Sequence, residues 1–140
     1  MTTGLAVFDT TVQETNAWLN QIEARLPPCG KQDAYQALRT VLHVLRDRLP
    51  QDAVLGLSAQ LPMLVRGFFL EGWKPELALD IHDLADFADQ VETRLPKGFP
   101  RAGQDVAQAV FAVLRQQLDP GEVSKLARML PKGLRPVLLP

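Results

Sequence analysis

Two histidines, one cysteine and two serines are the imidazoles, thiol and serine hydroxyls of this 140-residue chain. His82 stands four residues before Asp86, a spacing that can set two ligands on one metal. Two ligands are half a site, and no Cys/His cluster supplies the rest. Neither a metal nor another cofactor is expected. His43 lies inside an apolar run, between Leu42 and Val44. Ser58 and Ser124 have no histidine at a telling distance, and no G-x-S-x-G turn is present. Cys29, in "LPPCGK", precedes a helix start, where a thiol pKa can fall. A redox role and an incidental surface thiol are both open there, and the second is favoured. Asp80, Asp83, Asp86 and Asp89 step by three, which drifts around a helix instead of pairing two carboxylates in a cleft. They read as a solvated stripe whose first members suit a positive helix N-terminus. No glycine-rich phosphate loop follows a strand. The chain is therefore expected not to be an enzyme.

Charge gives the next set of candidates. The net charge is −1, which argues against a dedicated nucleic-acid binder. It is unevenly placed: residues 1–93 carry 7 basic and 13 acidic side chains, and residues 94–140 carry 8 basic and 3 acidic. Lys125, Arg128, Lys132 and Arg135 form a basic stretch near the end. It reads first as a solvated face. Contact with DNA or anionic lipid, and pairing with the aspartate stripe, are the alternatives.

The last candidate is "LSAQLPMLVRGFFLEGW", residues 57–73, where Met63, Phe68, Phe69 and Trp73 concentrate apolar surface around one arginine. Aromatics with Met and Arg are enriched in interface cores. These four residues are the expected contact surface.

The elements that must position these residues emerge from self-similarity. At a constant offset of 69, "QIEARLP" falls on "QVETRLP", "VLHVLRDRL" on "VFAVLRQQL", and "LSAQLPMLVRG" on "LARMLPKGLRP". Sixteen positions are identical in that gapless register, among them Arg25 with Arg94, Arg46 with Arg115, Pro62 with Pro131 and Arg66 with Arg135. The chain therefore reads as a tandem duplication of a four-helix unit, 1–73 and 74–140, giving about eight helices in two packed subdomains.

Helical spacing supports the four helices of each unit. The first runs from about Val12 to Leu26, with Thr11 and Glu14 at capping-box spacing. Its counterpart presents Ile81, Leu84, Phe87, Val91 and Leu95. The second runs from about Ala34 to Leu49, matched by Val106 to Leu118. The third is short, and in the second unit Asp119 and Pro120 mark its start. Pro62 and Pro131 end it and suit the start of the fourth. No stretch alternates long enough to form a strand, so the fold is all-α.

The segments "FDTTVQETNAWLNQI", "AYQALRTVLHVLRDRLP", "LSAQLPMLVRGFFLEGW" and "AVFAVLRQQLDPGEVSKLARMLPKGLRPVL" together resemble the prokaryotic family of domain of unknown function 2267. The resemblance implies a small, soluble, helical bacterial protein and assigns no catalytic residue or cofactor.

The expected function is a non-enzymatic interaction or scaffold module, self-associating or binding a protein partner. A small apolar ligand in a pocket between the two units is the first alternative, and weak binding of nucleic acid or an anionic surface through the C-terminal basic face is the second. No secretory signal opens the sequence and no run approaches a membrane span, so a cytoplasmic location is expected.

Overall fold

The computed structural model describes residues 2–140, and the chain in it is all-helical. The helices are α1 (Ala6–Arg25), α2 (Lys31–Arg48), α3 (Gln51–Ser58), α4 (Met63–Leu70), α5 (Leu84–Arg94), α6 (Gly103–Gln117) and α7 (Pro120–Arg128). A 3-10 turn at Arg135–Val137 closes the chain. There is no strand among the described residues; an isolated parallel bridge joins Asp83 to Gly133.

Helices α2 and α6 form the centre. Every residue from Thr40 to Asp47 in α2 is buried, and so is every residue from Ala109 to Leu114 in α6. A helix buried on all sides must be surrounded. The outer helices do this jointly: α1 packs on both α2 and α6, and α5 packs on both α6 and α2. The core is accordingly one cluster drawn from both halves, including Trp18, Ile22, Leu42, Phe69, Phe87 and Phe111. The expectation of two subdomains with an interface between them understates this mixing.

Several boundaries differ from the sequence reading, each for a local reason. Helix α1 begins at Ala6, well before Val12, and Thr11 caps nothing on its own helix. Thr11 is buried, and its Oγ1 accepts the backbone N–H of Leu64 at 2.9 Å. Leu64 is the second residue of α4, whose N-cap Pro62 makes no side-chain cap bond. A threonine of α1 thus satisfies a free donor at the start of α4. Helix α5 begins at Leu84, not at Ile81. Asp83 is its N-cap and accepts from the Asp86 N–H at 2.9 Å, while Asp86 accepts from the His82 N–H at 2.9 Å. Asp83 thus caps the helix, and Asp86 reaches one residue further back, to the N–H that precedes the cap. Helix α7 starts at Pro120 as expected, but Asp119 makes no capping bond.

The expected eighth helix is the largest departure. After Pro131 the chain makes a turn and then only the 3-10 turn. Pro136 lacks an N–H and would clash with a helical carbonyl four residues back. Gly133 lies so close to the α5 start that a Cβ would sit 2.5 Å from the His82 carbonyl oxygen. The first half has Leu64 and Gly67 at the matching places, and there the helix continues through Leu70.

Candidate functional site: an apolar groove beside α4

The prolonged start of α1 and the exposed side of α4 leave a groove between them, floored by the start of α2. Its volume is about 830 Å³, and its lining includes Phe8, Val12, Tyr35, Met63, Leu64 and Phe68. Phe8 is 46% exposed, Val12 38%, Met63 49% and Leu64 46%. Leu5 and Val7 are exposed on the same helix start. Single exposed apolar residues are ordinary, but a contiguous group of this kind makes the groove the candidate site.

Two devices fix the groove wall. Tyr35 and Phe68 meet edge-to-face with ring centroids 5.3 Å apart, so the half-buried Phe68 ring is held on the floor. At its C-terminal end α4 hands its free carbonyls to α2: His43 Nε2 meets the Phe68 carbonyl at 2.6 Å, and Arg46 donates to the Phe69 and Glu71 carbonyls at 2.9 and 3.0 Å. Gly72 follows with φ +72, the left-handed turn that ends many helices. Arg39 pairs with Glu71 at 2.9 Å on the surface and holds its carboxyl below the usual range.

The cost of placing Arg46 in the core is met by Asp47. Its carboxylate takes Arg46 Nε at 2.9 Å on one oxygen and Arg94 of α5 at 2.9 Å on the other. Asp47 is 2% exposed and Arg46 6%, so this is a buried ion group in which each partner needs the others. Burial, the largest effect, holds the His43 imidazole below its ordinary pKa, and Arg46 and Arg39 add to it. His43 is thus a neutral structural histidine that binds the α4 end.

The expected contact residues divide. Met63 is exposed and Phe68 is half-buried in the groove floor. Phe69 is fully buried in the core and Trp73 packs against that core, so neither lines the groove. A helix face turns by about 100° per residue, so adjacent phenylalanines cannot share one side. The sequence reading missed Phe8, Val12, Tyr35 and Leu64. Its signal for the first two, "LAVF" ahead of Val12, was legible only with α1 started at Ala6.

Other candidates fall into scaffold roles. Arg66 reaches back to the carbonyls of Ser58 at 2.8 Å and Leu61 at 3.1 Å, tying off the end of α3. Arg135 does the same for the Leu130 carbonyl at 3.1 Å. Arg135 is thus occupied, while Lys125, Arg128 and Lys132 are exposed and form no ion pair among the described residues. Within the chain the aspartate stripe does not pair with them among the described residues. Cys29 is buried rather than a surface thiol, and burial raises its pKa, opposite to activation. His82 lies ahead of α5, where Nε2 meets Asp80 at 2.6 Å on the surface. Among the described residues no three His, Cys, Asp or Glu side chains group as a metal site. No helix among them is long and apolar enough to cross a membrane.

One apolar cleft between the halves, where α3 faces α7, holds only about 40 Å³. Ligand pockets usually span about 300–1,000 Å³. The groove of the first half falls in that range; the α3–α7 cleft does not.

These features define an all-helical chain with two central helices and one open apolar groove. The chain belongs to the family described as "Uncharacterized conserved protein (DUF2267)", whose model matches residues 15–137. The resemblance seen in the sequence is therefore a true membership. No curated protein matches the chain.

Proposed function

We propose that this protein is a non-enzymatic interaction module that self-associates through the α1–α4 groove. The observation that carries this reading is the clustering of exposed Phe8, Val12, Met63 and Leu64 on one rim. A two-fold contact requires a self-complementary patch. This rim offers projecting apolar side chains beside a groove that accepts them, and it carries both Lys31 and Glu71. The module acts in the cytoplasm in this reading, and it needs neither a cofactor nor nucleic acid.

The scaffold for this surface is, in our reading, a tandem duplication of one four-helix unit over residues 1–73 and 74–140. Support comes from features 69 residues apart. The helix ends Arg25 and Arg94 correspond, as do Arg48 and Gln117. Arg66 and Arg135 secure preceding helix ends alike. Arg46 and Arg115 both donate to carbonyls of the following short segment.

Sedimentation equilibrium tests the proposal. The wild type should exceed its 15.5 kDa chain mass. Replacing Phe8→Asp together with Leu64→Asp should restore the chain mass with helicity unchanged. A wild type that is monomeric throughout overturns self-association. The groove volume favours a second reading, a bound apolar small molecule, which native mass spectrometry of the freshly purified protein would reveal as added mass.

A further inference from the structure

A depression of about 340 Å³ lies between the C-terminal end of α1 and α6, away from the residues of the apolar groove. Its lining holds Arg25, Arg101 and Arg115 against a single carboxylate, Asp105, with Ala109 and Ala112 leaving room at its base. In a chain of net charge −1, three arginines lining one hollow are a local excess that composition does not supply.

Their hydrogen bonds show what is left over. A guanidinium has five N–H donors. Arg101 spends one on the Pro27 carbonyl at 2.8 Å and contacts Asp105 at 3.3 Å. Arg115 spends one on the Val137 carbonyl. Those bonds hold both side chains in place. Arg25 makes no side-chain hydrogen bond or ion pair among the described residues. The matching arginine, Arg94 on α5, is held by buried Asp47 on α2. Position 116, 69 residues after Asp47, is glutamine, and it is exposed. Arg25 therefore has no acid to hold it.

We infer that Arg25, Arg101 and Arg115 bind a phosphate-class oxyanion in this depression. Two guanidiniums anchored by backbone carbonyls keep their planar forks pre-set, and a third swings in to close the charge. Planar, bidentate donors match tetrahedral phosphoryl oxygens. The shared chemistry is a phosphoryl group, free or on a lipid headgroup.

The test is a titration of the full-length protein with inorganic phosphate at fixed ionic strength, read by NMR at the arginine Nε–H signals. Saturable shifts at Arg25, Arg101 and Arg115, with Arg128 unmoved, are expected. Arg25→Gln, at an exposed position that leaves the core untouched, should weaken binding about tenfold or more, the loss of one charge-assisted hydrogen bond. In a parallel arm, phosphatidylcholine vesicles with and without phosphatidic acid separate the two sources. Capture only by the phosphatidic acid vesicles, lost in Arg25→Gln, assigns the site to a headgroup. Binding of free phosphate alone assigns it to a soluble anion. Shifts that rise linearly, that include Arg128 equally, or that survive Arg25→Gln overturn the inference.

Discussion

The groove beside α4 and the hollow 69 positions further along the chain share part of their punctuation and differ in outcome. The first is about 830 Å³ and lined by Phe8, Val12, Met63, Leu64 and Phe68. The second is about 450 Å³ and lined by Leu84, Phe111, Arg115, Gly133, Pro136 and Val137. Three of those positions, Gly133, Pro136 and Val137, stand 69 residues after Leu64, Gly67 and Phe68. Where the first half extends α4 as a helix and projects two exposed apolar side chains, the second presses Gly133 onto the α5 start and turns at Pro136. Identical punctuation, such as the proline and arginine of each half, builds the scaffold. The residues between those marks decide whether a surface opens or closes.

The halves also differ inside. The first half buries a charged knot of Arg46 and Asp47 reached by Arg94, whereas Gln116 replaces the acid in the second and is exposed. Asp47→Ala leaves two guanidiniums without their counter-charge and should cost about 3–5 kcal/mol in chemical denaturation. Gln116→Ala should stay within about 0.5 kcal/mol, the usual range at a surface position. Equal losses would erase the contrast.

Gly133 offers a smaller effect. A Cβ there meets the His82 carbonyl oxygen at 2.5 Å, so Gly133→Ala must push the α5 start aside. The expected cost is about 1–3 kcal/mol, typical of overpacking. Leu64→Ala, at the matching place, should lose little stability because the side chain is 46% exposed. If Gly133→Ala is neutral, the closed hollow owes its shape to something else.

The smallest effect is a pH dependence that arises at His43, where the second half has Ala112 at the matching position. Burial lowers the folded-state pKa of His43 below its ordinary 6.5. The unfolded chain then binds the proton more readily, so stability rises with pH across the gap. The contribution is complete above about 6.5 and is lost as pH falls from there toward the lower folded value. Urea midpoints at pH 7.5 and 5.5 (both chosen to bracket the ordinary value) should differ in the wild type, and the difference should shrink in His43→Asn.

Much of the helical scaffold was legible in the sequence because helical periodicity is a local signal. The buried faces of α2, α5 and α6 follow from spacing alone. The start of α1 was not legible: Thr11 has capping-box spacing, yet its hydroxyl serves α4 from a distance of 53 residues. The missing eighth helix depends on the close approach of Gly133 to His82, which no local pattern carries. The site was half legible for the same reason. "MLVRGFFL" announces apolar surface, but which phenylalanine faces outward is decided by how α4 is rolled against α2 through His43 and Arg46.

Hydrogen–deuterium exchange at two protein concentrations, one well above and one well below the association midpoint, tests the central claim most directly. Concentration-dependent protection should appear in Ala6–Thr15 and in α4, and not in α5 or residues 133–137. Protection that is uniform, that appears in the second half instead, or that fails to change with concentration would contradict the assignment of the first-half groove as the contact surface.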